Sequence, residues 1–94
     1  MVILQIEHQV PNFEAWKKAF ENDPVDRKKA GVRRYKILQR TDNPNYVVID
    51  LEFDHLEDAE GMFVALQNLW KKVDGKIIVE PKIRILNLIE STNI

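Results

Sequence analysis

Near its C-terminus the chain reads Ile83-Arg84-Ile85-Leu86-Asn87-Leu88-Ile89, and this segment limits the possible folds more than any other. Apolar residues occupy both parities of the segment, whereas side chains of a β-strand alternate between the two faces of its sheet. Helices can cover only one of these faces. The pattern therefore predicts a final strand whose sheet also meets something on its other face, most simply a second copy of the chain.

Five further segments precede this strand in the order strand, helix, strand, strand, helix. Strand patterns cover residues 2–10, 32–40 and 46–54, and helices are predicted after Asn12 and after Asp54. The complete order, βαββαβ, predicts a ferredoxin-like α+β fold, with the 94-residue chain forming a single domain. Right-handed crossovers predict a four-stranded antiparallel sheet of order 4-1-3-2 with both helices on one face.

The first helix is predicted to present an aromatic face to the sheet. Asn12 is a suitable N-cap, and aromatic residues follow at spacings that share one helical face. They are Phe13, Trp16 and Phe20. Asp23 and Pro24 interrupt this helix, and a short basic helical piece is predicted over residues 25–30, ended by Gly31.

The second helix is predicted to begin at a capping box formed by Asp54 and Glu57. Its broad apolar stripe comprises Ala59, Met62, Phe63, Leu66, Leu69, Trp70 and Val73. Gly75 is the predicted stop of this helix. Between the second and third strands, residues 42–45 form a cluster of turn-forming residues, which predicts a hairpin.

The two faces of the sheet differ in composition. Val2, Leu4, Ile6, His8 and Val10 share one parity, and with Val47, Ile49, Leu51 and Phe53 they are predicted to face the helices. The opposite face is predicted to carry Ile3, Leu38, Val48, Ile83, Ile85 and Ile89, interspersed with Gln5, Glu7, Arg34, Lys36, Asp50, Glu52 and Asn87. A mixed face of this kind predicts a homodimer in which two sheets pack together into a closed barrel.

The composition narrows the classes of function. Fourteen basic and fifteen acidic residues give a formal charge of −1, which argues against a nucleic-acid or anionic-membrane partner. The chain contains no cysteine, so disulfides, thiolate metal sites and cysteine nucleophiles are excluded. It also contains no apolar run of the roughly 20 residues that span a membrane. We expect a cytoplasmic protein.

Several motifs resemble the antibiotic biosynthesis monooxygenase-like group of the dimeric α/β barrel superfamily. They are His8-x-Val10-x-x-Phe13-x-x-Trp16-Lys17, Arg27-Lys28-x-Ala30-Gly31-Val32-Arg33, Asp42-x-Pro44-Asn45 and Asp50-Leu51-Glu52-Phe53-Asp54. The resemblance covers nearly the whole chain. It implies a dimer, chemistry without a cofactor, and a ligand cavity between the helices and the sheet. The residues expected to point into that cavity are His8, Trp16, Phe20, Tyr35, Phe53, Phe63 and Trp70.

Two subgroups of this superfamily can be compared with the chain residue by residue. The haem-degrading members use an Asn on the first strand with a Trp and a His on the second helix. This chain has Trp70 but neither the Asn nor the His, so haem degradation is rejected. The aromatic polyketide monooxygenases pair a Trp with an Asn in the cavity; Asn68 and Trp70 are two positions apart and lie on different helix faces.

His8 is the predicted catalytic residue, because an imidazole with a pKa near neutrality could take a proton from a phenol or an enol. The ordinary alternative is a hydrogen-bonded structural histidine. The predicted substrate-binding residues are Trp16, Phe20, Tyr35, Phe63, Trp70 and Arg27. Alternatively, the tryptophans are plain core, Tyr35 caps the sheet edge, and Arg27 belongs to a solvated basic run. His8 and His55 lack metal-ligand spacing, so neither a metal nor another cofactor is predicted.

Two functions of different classes remain open. One is a cofactor-independent monooxygenase or cyclase-like enzyme acting on a small aromatic or polyketide-like molecule. The other is a non-catalytic dimer that binds a small apolar ligand or serves only as a structural unit. An open cavity beside His8 would favour the first, and a core filled by aromatic side chains would favour the second.

Overall fold

The protein is described here by a computed structural model that covers the backbone of residues 1–73 and 79–94, and the side chains outside residues 73–80. The elements are β1 (Val2–Gln9), α1 (Phe13–Glu21), β2 (Val32–Arg40), β3 (Asn43–Phe53), α2 (Leu56–Val73) and β4 (Val79–Asn87). The predicted helix stop at Gly75 lies outside the described residues.

The four strands form one antiparallel sheet of order β2-β3-β1-β4, which is the predicted order read from the other edge. The two central strands pair in register, with Leu4 opposite Leu51 and Ile6 opposite Ile49. Along β1 buried and half-buried residues alternate without a break, because one face lies under the helices. The predicted ferredoxin-like α+β fold is confirmed.

The core lies between the helices and the inner face of the sheet. Its largest fully buried side chains come mainly from the central strands and their ends, with one from α2: Leu4, Val10, Val47, Ile49, Phe53 and Met62. Burying an aliphatic or aromatic side chain of this size contributes about 1.5–3 kcal/mol. Because the same parity of β1 supplies both core residues and His8, the fold places this histidine beneath the helices.

The start of α1 follows the sequence prediction. The side-chain oxygen of Asn12 accepts a hydrogen bond from the backbone N–H of Ala15 at 2.9 Å, as an N-cap does. The prediction of a second helical piece over residues 25–30 is wrong, because this segment consists of turns. Asp23 and Asp26 both have φ near 51°, and their carboxylates accept local backbone N–H groups, a turn geometry that competes with a helix.

The prediction for the faces of β4 is also wrong. Ile83 lies opposite Ile6 and Ile85 lies opposite Leu4, so both isoleucines pack toward the helices. Asn87, opposite Val2, shares their parity, and Ile89 lies beyond the end of β4. Apolar residues occupy both parities of residues 83–89, so the parity pattern of that segment alone does not assign the inward set, and the pairing of β4 with β1 does.

The face of the sheet away from the helices is called the outer face. Its apolar members are Ile3, Leu38, Val48 and Leu86, of which Leu38 and Leu86 are exposed. Polar side chains between them form a cross-strand network. Gln5 donates to Asp50 at 2.9 Å and accepts from Arg84 at 2.9 Å, and Arg34 pairs with Glu52 at 3.0 Å. The outer face is therefore neither purely apolar nor purely charged.

The elements around the hairpin and the start of α2 differ slightly from the prediction. The strand β3 begins at Asn43, inside the predicted turn cluster, so the hairpin is tighter than expected. The helix α2 begins at Leu56, which leaves Asp54 two residues before it. There the Asp54 carboxylate lies 3.3 Å from Arg33 instead of closing a capping box.

Gly31→Ala is expected to lower the free energy of unfolding by about 1–3 kcal/mol, because Gly31 has φ of +102°. A Cβ at this position would also lie 2.7 Å from the Asp58 carboxylate. The matched control is Gly61→Ala in α2, where an added Cβ meets nothing within 4 Å and should raise stability by about 0.5–1 kcal/mol. Urea unfolding of both variants measures the difference, and equal stabilities would contradict the strain at Gly31.

Candidate functional site

A cavity of about 240 Å³ lies between the helices and the inner face of the sheet, and part of its surface is open to solvent. It is bounded by α1, the segment after it, α2, and the central strands β1 and β3. The lining residues are Ile6, His8, Trp16, Ala19, Phe20, Asn22, Pro24, Val25, Arg27, Ile49, Leu51, Leu66, Leu69 and Trp70. Most of these side chains are apolar, and His8, Asn22 and Arg27 are the polar exceptions.

A series of ring contacts begins at the wall of the cavity and continues to the edge strand β2. Trp16 meets the His8 imidazole edge-on, with ring centroids 5.8 Å apart, and meets Phe20 at 5.3 Å. Phe20 in turn contacts Tyr35 edge-on at 5.0 Å. The series follows from the helical spacing of Trp16 and Phe20, which aligns them on the face of α1 that is turned toward the sheet.

His8 is buried within this wall, with 2% of its surface exposed. Among the described residues, no group forms a hydrogen bond with its Nδ1 atom. Burial lowers the pKa of His8 from 6.5 to about 4, and the backbone of Gln9, which acts in the opposite direction, does not offset it. The prediction of a pKa near neutrality for His8 is therefore wrong, because burial disfavours the charged imidazole more than the Gln9 backbone stabilises it. The imidazole is uncharged at neutral pH.

Arg27 supplies the positive charge at the cavity. Its guanidinium carbon lies 3.9 Å from the centroid of the Phe20 ring and 5.1 Å from that of Tyr35. Nη1 donates a hydrogen bond to the backbone carbonyl of Phe20 at 2.8 Å. These contacts hold the side chain against the end of α1, so it does not behave as one member of a freely solvated basic run.

Five of the residues predicted to form the site lie together around the cavity: His8, Trp16, Phe20, Trp70 and Arg27. Three others expected there do not line it. Tyr35 stands on the edge strand β2, behind Phe20, and is 44% exposed. Phe53 is fully buried core, and Phe63 packs against the core from α2. Parity and helical spacing assign a face correctly but do not specify the distance from the cavity along that face.

Sequence reasoning missed the contribution of the segment that follows α1. Asn22, Pro24 and Val25 complete the wall beside Arg27. The nearest available signal was the Asp23-Pro24 pair, which does mark the end of a helix. It carries no information about the path of the chain afterwards, which depends on the left-handed conformations of Asp23 and Asp26.

Two further observations concern the described part of the chain. Within residues 1–73 and 79–94, no group of three or more His, Cys, Asp or Glu residues is arranged to hold a metal ion. No helix in those residues is long and apolar enough to cross a membrane.

No protein-family model and no curated protein matches the chain. Solved structures do resemble it over nearly its full length. A candidate antibiotic biosynthesis monooxygenase of Nitrosomonas europaea is 19% identical, with 96% of this chain and 100% of that chain covered and a TM-score of 0.68. SnoaB of Streptomyces nogalater, described as a cofactor-independent oxygenase, is 10% identical, with 96% and 94% covered and a TM-score of 0.72.

A third structure bears on assembly. A dimeric ferredoxin-like protein from an uncultured marine organism is 12% identical, with 99% of each chain covered and a TM-score of 0.65. At these identities the similarities establish the fold, and chemistry cannot be transferred from fold alone. The architecture is that of the antibiotic biosynthesis monooxygenase-like structures to which the sequence motifs pointed.

Proposed function

We propose that the protein is a homodimer in which each subunit binds a small aromatic molecule in the helix–sheet cavity. The observation that carries the proposal is the open cavity itself, with its aromatic wall and the buried His8, whose Nδ1 atom has no hydrogen-bond partner among the described residues. A core filled by its own side chains would have left no such space. An apolar cavity with a few polar groups is the usual form of a small-molecule site.

The size of the cavity limits the ligand. Pockets for drug-sized ligands enclose about 300–1,000 Å³, and the cavity here is smaller, at about 240 Å³. A molecule of one or two fused rings suits this volume better than a larger polycycle. The indole rings of Trp16 and Trp70, together with the ring of Phe20, supply flat surfaces against which such a molecule would stack.

His8 is assigned the role of an uncharged hydrogen-bond partner of the ligand. Since its pKa is lowered to about 4, the imidazole is a weak proton acceptor and is poorly matched to a phenol as a general base. A neutral imidazole has one donor and one acceptor nitrogen. A hydroxyl group on the ligand would form a hydrogen bond with the imidazole where His8 lines the cavity.

Oxygenation of the bound aromatic molecule without a cofactor is the reaction that we assign to an enzymatic form of this site. One oxygen atom of dioxygen would become a carbonyl oxygen of the quinone product, and the other would leave as water with two hydrogens of the substrate, which is itself the reductant. The description of SnoaB as a cofactor-independent oxygenase supports testing it, and so does the apolar lining, which limits the access of water. The test is oxygen uptake by the protein with a dihydroxynaphthalene, in the presence of a metal chelator. Uptake no faster than in protein-free buffer would leave binding as the function.

The homodimer is proposed to form through the outer face. Ile3, Leu38, Val48 and Leu86 would be covered by the partner, and the polar network between them would lie in the barrel interior. The description of a neighbour in fold as dimeric supports this assembly. A domain of this size also buries a limited share of its surface alone, so association adds to a small core.

Ala19→Phe is expected to abolish binding of α-naphthol, because Ala19 lines the cavity from α1 and a phenyl ring there would occupy the ligand's space. The matched control is Ala15→Phe, an exposed position one turn earlier on the same helix. Quenching of tryptophan fluorescence by α-naphthol measures binding, since both tryptophans line the cavity. Undiminished binding by Ala19→Phe would contradict the cavity as the ligand site.

A further inference from the structure

Arg27 lines two neighbouring pockets of the molecule. On one side it lines the helix–sheet cavity, and on the other it lines a more open pocket on the surface. The surface pocket is completed by Asp23, Lys28, Gly31, Val32, Arg33, Arg34 and Tyr35. A group bound to the Arg27 guanidinium can therefore belong to a molecule whose apolar body lies in the cavity.

The guanidinium of Arg27 is held in place, but not all of its N–H donors have hydrogen-bond partners among the described residues. Its side chain is 14% exposed, and it lies against the Phe20 and Tyr35 rings. An arginine has five N–H donors in a rigid fork. Among the described residues, Nη1 is the only atom of this guanidinium that makes a hydrogen bond, to the Phe20 carbonyl. The remaining donors have no hydrogen-bond partner among the described residues, and the planar fork of a guanidinium matches a carboxylate.

Among the described residues, the carboxylate of Asp23 is the one within ion-pair distance of Arg27, and it neutralises the charge incompletely. Asp23 Oδ1 lies 3.4 Å from Nη1, beyond the roughly 2.7–2.9 Å of a charge-assisted hydrogen bond. That same oxygen accepts the backbone N–H of Arg27 at 2.9 Å and so serves the turn. The other arginines of the surface pocket have partners of their own: Arg34 pairs with Glu52 at 3.0 Å, and Arg33 lies 3.3 Å from Asp54.

We propose that the ligand of the cavity is an aromatic carboxylate, with its rings between Trp16 and Trp70 and its carboxylate on the Arg27 guanidinium. This inference rests on the proposed function and adds the chemical class of the ligand to it. The apolar lining contributes affinity for the rings, while the incompletely neutralised Arg27 at the edge of the cavity selects for a negative charge. His8, being uncharged at neutral pH, does not compete for that charge.

The test compares two probes of equal shape, α-naphthoate and α-naphthamide, by isothermal titration calorimetry at low salt. Wild-type protein is expected to bind the acid at least about tenfold more tightly than the amide, a difference of about 1.4 kcal/mol. Arg27→Gln should reduce the affinity for the acid to that for the amide, with binding of the amide reporting that the cavity is intact.

Two further variants separate Arg27 from the general charge of the region. Asp23→Asn should raise the affinity for α-naphthoate and leave that for α-naphthamide unchanged, because the competing carboxylate is removed. Asparagine keeps an oxygen acceptor for the Arg27 backbone and tolerates the φ of 51° at this position. Lys28→Gln is the matched control. It removes a neighbouring charge of the surface pocket and should leave the preference for the acid intact.

The outcomes distinguish this inference from the function on which it rests. Equal binding of the acid and the amide by wild-type protein would overturn the carboxylate inference and leave aromatic binding in place. A loss of preference in Lys28→Gln as large as in Arg27→Gln would also overturn it, since the charge of the whole pocket would then be responsible. If neither probe binds, or if Ala19→Phe leaves the binding of both unchanged, the proposed function and this inference both fail.

Discussion

Val48→Asp is expected to convert the homodimer into a folded monomer. Val48 lies on the outer face in the central strand β3, between Glu7 on β1 and Leu38 on β2. In a single subunit this side chain is only half-buried, so a carboxylate there remains hydrated. Between two packed sheets the same carboxylate would lose its water beside Glu7, and burying an unpaired ion costs several kcal/mol. Because both subunits of a two-fold dimer would bury such a carboxylate, this cost arises twice.

Sedimentation velocity at micromolar concentrations measures the change, and circular dichroism shows whether the subunit stays folded. The matched control is Val64→Asp, which places the same side chain on the exposed face of α2, where Val64 is 57% exposed. That variant should remain a dimer. A wild-type monomer, or a Val48→Asp variant that stays dimeric, would contradict assembly through the outer face.

The central strands could be predicted from the sequence because their pattern has a single solution. Along β1 every second residue is apolar or His8, and β3 repeats the alternation, so one face had to be the core. The helical spacing of Phe13, Trp16 and Phe20 likewise has one interpretation. These local patterns agree with one another and with the topology, which is why the fold and the sheet order followed from them.

The inward face of the final strand and the conformation of the segment after α1 could not be predicted from the sequence pattern. Apolar residues occupy both parities of residues 83–89, so the parity pattern of that segment did not assign the inward position of Ile85, which follows from its pairing with Leu4. Residues 25–30 are compatible in composition with a helix. Their turns result from side-chain hydrogen bonds of Asp23 and Asp26 to nearby backbone, which a periodicity argument does not detect.

The candidate site, like the fold, could be predicted from the sequence only in part. The sequence placed His8, Trp16 and Trp70 at the cavity by parity and helical spacing, but it did not identify most of the other lining residues. The cavity is a small volume left between elements, and no sequence pattern records it. The pKa of His8 depends on how much of its surface the helices cover, which is known only once the elements are packed.

The cavity and the proposed interface lie on opposite faces of the same sheet. Substitutions such as Ala19→Phe and Val48→Asp therefore address one property each, since Ala19 lines the cavity and Val48 belongs to the outer face. A monomeric Val48→Asp variant that still binds α-naphthol would show that each subunit carries a complete site. Loss of binding in that variant would show that the partner supports the cavity through the sheet.

His8→Gln is expected to remove a large part of the acid sensitivity of the fold. The folded protein holds His8 at a pKa of about 4, against the usual 6.5 of an exposed histidine. Between these pH values the unfolded chain binds a proton that the folded chain does not, so stability falls as the pH falls through this window. Each pKa unit corresponds to about 1.4 kcal/mol, which gives a loss of about 2–3 kcal/mol between about pH 7.5 and about pH 4.5.

Urea unfolding at these two pH values measures the loss in wild-type protein and in His8→Gln. Both share the carboxylates that titrate at low pH, so the difference between their losses isolates the buried imidazole. His55→Gln, at an exposed position, is the matched control and should keep the wild-type loss. If His8→Gln lost as much stability as wild type between the two pH values, His8 would not be held uncharged in the folded protein. Its assignment as a neutral partner of the ligand would then be wrong, and a role as general base would again be open.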